Sequence, residues 1–143
     1  MNVKLKSIKL SDKSILSNLF QLYMHDITRF IAFDINKHGL YDYKYIDYYW
    51  INSQYRPFFI VADKKIAGFV LVNNHFMVLE DKPDNYNVSE FFILNIYRRQ
   101  AVGREAARLV FDKFKGNWEV RPIPGSPEAD KFWLDVISKY TNG

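Results

Sequence analysis

The sequence predicts an α/β sandwich whose sheet mixes antiparallel and parallel strand pairing, and three observations lead to this fold class. Five short segments have the alternating or continuously apolar pattern of strands, whereas three longer segments carry apolar residues at helical spacing. These segments follow one another in the order β, α, β, β, β, α, β, α, which packs helices on a sheet. The 143 residues, 48% of them hydrophobic, suffice for one core, so we expect a single domain spanning residues 1–143.

The N-terminal part of the chain predicts a strand followed by a helix. Residues 3–9 alternate imperfectly between aliphatic and polar side chains, as in a short strand. Ser11 offers an N-cap, and the apolar residues after it recur at helical spacing, which predicts an amphipathic helix to about residue 30. Its apolar stripe comprises Ile15, Leu19, Leu22 and Tyr23.

The middle of the chain predicts a β-hairpin. An aromatic-rich stretch over 34–54 has poor periodicity and predicts a loop and then a short helix. Two strands follow, over 58–62 and within 66–79, and the turn at 63–65 is short enough to join them as a hairpin.

The remaining segments alternate strands and helices. A polar loop at 80–87 precedes an apolar strand at 88–94, and an arginine-rich turn at 98–103 leads into a helix. Another strand at 118–121 and a final helix at 129–140, which has a clear apolar face, complete the order.

The composition excludes several kinds of chemistry. The chain has no cysteine, which rules out disulfides, thiolate metal sites and cysteine nucleophiles, and fits a reducing compartment. Residues 1–10 contain no apolar run typical of a signal peptide or a membrane span, so we expect a cytoplasmic protein without a membrane partner. His25, His38 and His75 lack metal-ligand spacing, and we expect no metal.

The positive charge is concentrated in one place. A net charge of +4 indicates an anionic partner, either nucleic acid, a membrane surface or a phosphorylated cofactor. The aromatic residues at 41–50 and 55–59 lie away from the arginines in sequence, which argues against a nucleic-acid partner. The densest cationic cluster lies in one short segment and comprises Arg98, Arg99, Arg104 and Arg108.

That segment, residues 97–107, lies between a predicted strand and a predicted helix and suits phosphate binding. The first-turn amides of a helix have no intrahelical partners, and the helix dipole adds partial positive charge. Gly103 lets the backbone approach a ligand closely. The alternative is an ordinary surface helix start with solvated arginines.

The same segment resembles the pyrophosphate loop of the GNAT acetyltransferase superfamily. That loop follows the fourth strand and reads Gln or Arg, two residues, Gly, one residue, then Gly or Ala. Arg98, Ala101 and Gly103 occupy these positions, with Ala101 where the first glycine is usual.

The resemblance covers most of the chain. Residues 58–72 are similar to the family's second and third strands, and in the last helix Ala129, followed by an aromatic pair, resembles the closing motif. Ser126 stands where that motif has Asn. The family fold implies a mainly antiparallel central sheet flanked by helices on both faces. Its usual C-terminal strand pair has no counterpart after Tyr140, so we expect either a truncated chain or a partner chain, as in a homodimer, in that place.

The resemblance also implies acetyl-CoA as co-substrate and a set of residues that bind it. Backbone groups of the fourth strand would pair with the pantetheine arm, and the loop would cradle the pyrophosphate. Arg99, Arg104 or Arg108 would reach the 3′-phosphate of the adenosine, unless these side chains form surface ion pairs. The implied cofactor-binding residues are Phe92, Ile93, Leu94, Arg98, Arg99, Gln100, Ala101, Val102, Gly103, Arg104, Glu105 and Ser126.

For the reaction, the resemblance implies direct N-acetylation of a primary amine, on a small molecule or a protein, in a ternary complex. A backbone amide at Ile93 or Leu94 would face the oxyanion. Glu90 is the candidate general base, the alternative being a solvated carboxylate at the rim. The tyrosine with which the family often protonates the thiolate is replaced by Trp133, whose indole is no practical acid, and Tyr140 is the remaining candidate.

The acceptor site is expected at the end of the first helix. Tyr23 and Asp26 would contact the substrate amine, together with tyrosines of residues 41–49, unless Tyr23 belongs to the core and Asp26 to a solvated helix surface. A rival function is a catalytically inactive GNAT-fold module that binds CoA or another protein, which the departures from the family motifs favour. The sequence leaves the identity of the amine open.

Overall fold

The computed structural model describes residues 1–75, 82 and 84–141. Within these residues, five strands and three α-helices follow one another in the order that the sequence predicts. They are β1 (Val3–Ser7), α1 (Lys13–Ile27), β2 (Arg56–Ala62), β3 (Lys65–Asn73), β4 (Asn85–Ile93), α2 (Val102–Lys113), β5 (Asn117–Val120) and α3 (Pro127–Thr141). The short helix expected in the aromatic-rich stretch is a 3-10 helix, Ile46–Trp50. Residues 76–79 of the predicted hairpin lie outside the described residues.

The start of α1 differs from the prediction. Leu10–Asp12 form a 3-10 turn, and Asp12 rather than Ser11 occupies the N-cap position of α1. Ser11 therefore lies inside the tighter turn, where its side chain cannot cap the α-helix that follows.

The described strands form one mixed sheet in the order β1, β2, β3, β4, β5. The pairings from β1 to β4 are antiparallel, and β4 and β5 pair in parallel. The connection from β4 to β5 passes through α2, because parallel neighbours require a crossover. A mainly antiparallel mixed sheet is therefore confirmed, and within the described residues no strand follows α3.

Helices cover both faces of the sheet, as predicted. Three residues of α1, namely Leu16, Phe20 and Tyr23, are buried against one face beside Phe69 of β3 and Phe92 of β4. Full burial of a side chain such as Phe20 contributes about 2 kcal/mol. The apolar stripes of α2 and α3 cover the other face. None of the described helices is long and apolar enough to cross a membrane.

β5 covers only the first half of β4. The parallel pairing runs from Asn85 beside Asn117 to Val88 beside Val120 and then stops. Residues 89–93 of β4 therefore have an edge that β5 does not cover. Backbone N–H and C=O groups on such an edge can pair with an extended ligand.

A β-bulge at Ser89 sets the direction of the Glu90 side chain. In the pairing with β3, Leu71 faces Glu90 and Val72 faces Val88, which leaves Ser89 as the extra residue. In a regular strand Val88 and Glu90 would share a face of the sheet. Here Val88 packs in the core under α2 and α3, whereas Glu90 interacts with tyrosine side chains on the α1 face.

Candidate active site

An open cleft of about 550 Å³ lies where β4 and β5 diverge. Its walls are the end of α1, the uncovered edge of β4, the loop after β4, and the first turns of α2 and α3. The volume is in the range of ligand-binding clefts. No group of three His, Asp or Glu side chains in the described part of the chain is placed to hold a metal ion. The cleft brings together most of the predicted site residues: Tyr23, Asp26, Phe92, Ile93, Arg98, Arg99, Ala101, Gly103, Arg104 and Ser126.

The loop after β4 has the backbone shape of an anion site. Arg99 and Ala101 both have a φ of 63°, in the left-handed region, on either side of Gln100. Alternation between left-handed and right-handed residues points successive N–H groups into one concavity. Ala101 also caps α2, and the N–H of Glu105 donates to the Ala101 carbonyl at 3.1 Å. The amides between these two residues have no intrahelical acceptor, so they can bind an anion.

Replacing Ala101 with Gly is expected to stabilise the fold. An L-residue in the left-handed region costs about 1 kcal/mol, and the greater freedom of glycine in the unfolded chain offsets part of the relief. We expect the free energy of unfolding in urea to rise by about 0.5 kcal/mol. Ala129→Gly, at an ordinary helical φ in α3, is the matched control and should lower the same quantity by about 1 kcal/mol. Equal destabilisation by both variants would contradict the strain at Ala101.

Ile93, rather than Leu94, presents its amide to the cleft. The Leu94 N–H donates to the Ala67 carbonyl of β3 at 2.8 Å, so it is used within the sheet. Neighbouring amides of a strand point to opposite edges, hence the Ile93 N–H points to the edge that β5 leaves uncovered. The Ile93 carbonyl accepts a hydrogen bond from Arg98 Nε at 2.8 Å. Of the two candidate oxyanion donors, only the Ile93 amide is directed to the cleft.

Asp26 and Arg98 bind each other at the cleft. Arg98 Nη2 lies 2.6 Å from Asp26 Oδ2, and the guanidinium carbon lies 5.7 Å from the centre of the Phe92 ring. The sequence placed Asp26 at the substrate amine and Arg98 among the cofactor-binding residues. In the structure the two charges satisfy each other, because the end of α1 brings Asp26 over the loop after β4.

The other three arginines of the cationic cluster divide into two groups. Arg104 pairs with Asp135 of α3 at 2.9 Å, and Arg108 pairs with Glu105 and with Asp112 on the surface of α2. The sequence left two alternatives for Arg104 and Arg108, phosphate binding or surface ion pairs. In the structure both side chains form surface ion pairs. Arg99 is exposed at the cleft and has no carboxylate partner among the described residues. Its guanidinium is available to a phosphate group.

Glu90 lies next to the cleft and is joined to it by Tyr23. Tyr23 is 5% exposed and its side chain packs in the core under α1, where it interacts with the Glu90 carboxylate and also borders the cleft. Burial raises the pKa of Glu90 to about 7, although the hydrogen bond from Tyr23 and the positive charge of Arg121 act in the opposite direction. Burial, and then the charge of Glu90, raise the pKa of Tyr23 well above its ordinary value. The surroundings of Glu90 therefore differ from those of a solvated rim carboxylate.

Two tyrosines of the aromatic-rich stretch also lie near Glu90. Burial, with a contribution from the Glu90 charge, raises the pKa of Tyr43 and of Tyr49, so both hydroxyls stay neutral. A smaller cavity of about 30 Å³ lies beside Tyr23, between Ser89 and Arg121. A cavity of about 10 to 15 Å³ suffices to hold one water molecule, so this one has room for a water. A single water there would connect polar groups of the two diverging strands.

Tyr140 lies outside the cleft. Its hydroxyl donates to Asp112 Oδ1 at 2.7 Å and accepts from Lys115 Nζ at 3.1 Å, while its ring packs against Phe111. The structure does not bring this candidate acid to the other site residues, because only the first half of α3 borders the cleft.

The side chains of several predicted cofactor-binding residues make contacts with other parts of the protein. The Gln100 amide donates to a backbone carbonyl at 2.8 Å, the Val102 side chain lies in the core, and Glu105 pairs with Arg108. Their backbone groups are what remains for a cofactor. The Ser126 hydroxyl accepts the N–H of the residue three positions later at 3.1 Å, which makes it the cap of α3.

The cleft also contains residues that the sequence analysis did not assign to the site. Phe91 alternates with Ile93 on the uncovered half of β4, a signal that the sequence carries, and its ring meets Trp133 edge to face at 5.0 Å. The residues from α1 and from the loop before α3 carry no sequence signal, because only the fold brings them together. The added lining residues are Ile27, Arg29, Phe30, Phe91, Ile123, Glu128, Ala129, Phe132 and Trp133.

Comparison with known proteins finds similarity of structure. No protein-family model and no curated protein matches the chain. An acetyltransferase from Thermus thermophilus has a TM-score of 0.70 at 14% identity, with 94% of this chain and 85% of that chain covered. A GNAT-family acetyltransferase from Staphylococcus aureus has a TM-score of 0.63 at 12% identity, with 94% and 82% covered. An acetyltransferase from Clostridium acetobutylicum, solved with acetyl-CoA, has a TM-score of 0.60 at 13% identity, with 92% and 88% covered.

Other solved structures of similar fold bear the names of aminoglycoside and ribosomal-protein alanine N-acetyltransferases. Sequence identities this low show a shared fold. The mainly antiparallel sheet, the helices on both of its faces and the loop before α2 are the elements that the motif resemblance led us to expect. The chain has the fold of the GNAT acetyltransferases.

Proposed function

We propose that this protein is an acyl-CoA-dependent N-acyltransferase that moves the acetyl group of acetyl-CoA directly to a primary amine in a ternary complex. One observation carries the proposal: the uncovered edge of β4 leads straight into the amide-rich loop at the start of α2. An edge of this kind suits the amides of a pantetheine arm, and the loop suits a pyrophosphate. Among proteins of the same fold, one was solved with acetyl-CoA and another with a CoA bisubstrate analogue.

Different residues around the cleft would bind different parts of acetyl-CoA. The amides of Gln100 to Arg104 and the exposed guanidinium of Arg99 would hold the phosphates of CoA. Arg104 would contribute once its exposed ion pair with Asp135 opens, which costs little. The Ile93 N–H would donate a hydrogen bond to the carbonyl oxygen of the acetyl group.

The chemistry follows from Ile93, Glu90 and Tyr23. An amine with an ordinary pKa of about 10.4 must lose a proton before it attacks. Glu90, with a pKa of about 7, would take that proton, directly or through one water. Glu90 then releases this first proton to solvent. As the amine nitrogen bonds to the acetyl carbon it gives its second proton to the Glu90 carboxylate, the Ile93 N–H stabilises the oxyanion by about 3 kcal/mol, and the carbon–sulfur bond breaks.

The leaving thiolate still needs a proton, and Tyr23, which lines the cleft, would transfer one. The Glu90 carboxyl gives its proton to the Tyr23 hydroxyl oxygen while the Tyr23 hydroxyl proton passes to sulfur, so the amine proton ends on the thiol. The high pKa of Tyr23 keeps this hydroxyl neutral, so Tyr23 relays a proton whose source is Glu90. This assignment replaces Tyr140, which lies outside the cleft.

The acceptor is proposed as a primary amine on a small molecule or a protein. Aminoglycosides and ribosomal proteins are named as substrates of proteins with this fold. A second candidate function, a module that binds CoA without turnover, is favoured by Trp133 at the position of the family's catalytic tyrosine. Release of free thiol from acetyl-CoA in the presence of an amine panel separates the two functions, because a binding module releases none.

Reversing the charge of Arg99 tests the cofactor site. We expect micromolar binding of acetyl-CoA by the wild type in titration calorimetry, and a loss of about tenfold or more in Arg99→Glu, because a carboxylate would face the phosphates. Lys6→Glu is the control, since it makes the same change in net charge on exposed β1, three strands from β4. Absence of binding by folded wild type would refute the proposed function. If Arg99→Glu and Lys6→Glu weakened acetyl-CoA binding equally, the cause would be the change in net charge and not a local binding site.

A further inference from the structure

Arg98 connects three parts of the protein that the proposed reaction uses. Its Nε donates to the Ile93 carbonyl at 2.8 Å, and its Nη2 bonds to Asp26 Oδ2 at 2.6 Å. The guanidinium also lies over the Phe92 ring. Strand β4, the loop after it and helix α1 are therefore linked through one side chain.

The hydrogen bond from Arg98 to Ile93 helps to fix the orientation of one peptide group. The peptide that joins Ile93 to Leu94 has its carbonyl held by Arg98 and its N–H held by the Ala67 carbonyl at 2.8 Å. A planar peptide bonded at both ends has a set orientation. The direction of the preceding N–H, that of Ile93, depends on this orientation through only two dihedral angles of one residue. Arg98 thus helps to aim the amide that faces the cleft.

Asp26 determines where the Arg98 guanidinium lies. The Arg98 side chain is 36% exposed and has many rotamers, so the bond to the Ile93 carbonyl alone would hold it weakly. The charge-assisted hydrogen bond to Asp26, 72 residues away in sequence, selects the rotamer in which Nε reaches that carbonyl. Without the carboxylate, the guanidinium is free to turn to solvent.

We propose that Asp26 is a positioning residue that acts through Arg98 on the Ile93 amide, so that helix α1 controls how firmly the acetyl carbonyl is held. The proposal rests on the proposed function, because it concerns the acetyl group of bound acetyl-CoA. It assigns Asp26 a role other than binding the substrate amine. It also assigns the Arg98 side chain a role other than binding phosphate.

The test compares acetyl-CoA with CoA, which carries the same phosphates and pantetheine but no acetyl carbonyl. One hydrogen bond to the carbonyl should make wild-type binding of acetyl-CoA about fivefold tighter than that of CoA. In Asp26→Asn we expect this ratio to fall to about one, with the affinity for CoA nearly unchanged. The infrared band of acetyl-CoA labelled with 13C at the carbonyl should move towards its position in free solution.

Asp135→Asn is the matched control. It breaks the other ion pair between a cleft arginine and a helix carboxylate, Arg104 with Asp135. The two ligands share all phosphates, so this change should alter both affinities together and leave the ratio and the infrared band as in the wild type. A shift in ratio equal to that of Asp26→Asn would overturn the proposal. Failure of the wild type to bind either ligand would instead refute the proposed function.

A charge-swapped double variant, Asp26→Arg with Arg98→Asp, separates positioning from simple stabilisation. It can restore an ion pair, but the carboxylate introduced at position 98 has no N–H to donate to the Ile93 carbonyl. We expect the melting temperature to recover relative to the single variants while the preference for acetyl-CoA stays lost. Recovery of both would show that the preference follows the stability restored by the ion pair and does not need the Arg98 bond to Ile93, which would overturn the role assigned to Asp26.

Discussion

Glu90→Gln is expected to reduce amine acetylation by a factor of about 10² to 10⁴, because a glutamine cannot accept the amine proton. In the wild type the rate at saturating acetyl-CoA should rise with pH through the pKa of Glu90, about 7, as the carboxylate ionises. The variant should lose this dependence while its affinity for acetyl-CoA stays within about twofold, since Glu90 does not line the cofactor loop. Unchanged turnover in Glu90→Gln would exclude Glu90 as the base.

The same substitution is expected to increase stability at alkaline pH. The pKa of Glu90 in the folded protein, about 7, is above its ordinary value of 4.5, so the folded state binds more protons between these values. The contribution of this group to stability is therefore complete below pH 4.5 and is lost as the pH rises through 7. The difference between these two pKa values corresponds to about 3 kcal/mol in the free energy of unfolding.

Urea denaturation at pH 5 and at pH 8 tests this expectation. At pH 8 Glu90→Gln should exceed the wild type in free energy of unfolding by roughly 2 kcal/mol, and at pH 5 the two should be close. The groups that face Glu90 are Tyr23, Tyr43, Tyr49 and Arg121, and the tyrosines remain neutral in this range. Asp130→Asn, an exposed carboxylate of α3, is the control and should show no such pH-dependent gain. Lower stability of Glu90→Gln at pH 8 would contradict the raised pKa of Glu90.

The substitution Tyr23→Phe tests the proposed proton transfer to the thiolate. If Tyr23 relays the proton to the thiolate, the variant should lose turnover and keep its affinity for acetyl-CoA. Its loss should be smaller for a thioester whose thiol is more acidic, since that thiolate needs protonation less. Full activity of Tyr23→Phe would remove Tyr23 from the reaction and leave Glu90 as base.

Gly68→Ala is expected to destabilise the fold by about 3 kcal/mol or more. A Cβ atom at Gly68 would lie 1.9 Å from the carbonyl oxygen of Phe92 on the neighbouring strand, and a backbone atom in a sheet cannot move aside. The strands β3 and β4 would have to separate at the residues that precede the cofactor loop. Urea denaturation gives the loss of stability, and calorimetry with acetyl-CoA shows the effect on the site.

Gly103→Ala is the matched control for Gly68→Ala. A Cβ at Gly103 would lie 3.2 Å from the Phe132 ring, which is a side chain and can shift by a few tenths of an ångström. We expect its effect on stability to stay below about 1 kcal/mol. If Gly103→Ala and Gly68→Ala lowered the free energy of unfolding by similar amounts, the fold would not depend on the close approach of β3 and β4 at Gly68.

Local patterns along the chain predicted the type and order of the elements and singled out the loop at 98–103 as the proposed cofactor loop. Helical spacing and strand alternation are local patterns, and they placed α1, α2, α3 and the five strands in the observed order. The first cap was wrong, and two residues of the predicted α1 stripe, Ile15 and Leu22, are exposed, whereas Leu16 and Phe20 are buried instead. The loop was recognisable because a phosphate site at a helix start needs few residues close together in sequence, here Arg98 to Gly103. The resemblance carried by that loop and the closing helix then predicted the fold.

The surroundings of Glu90, Asp26 and Tyr140 depend on tertiary contacts and could not be predicted from local patterns. The face to which Glu90 points depends on the bulge at Ser89, and a bulge is defined by pairing with another strand. Asp26 meets Arg98 across 72 residues, so no local pattern shows that their charges neutralise each other. The hydroxyl of Tyr140 lies away from the cleft because α3 follows α2 beyond it. Local periodicity fixes the elements, whereas contacts between residues distant in sequence fix which side chains meet.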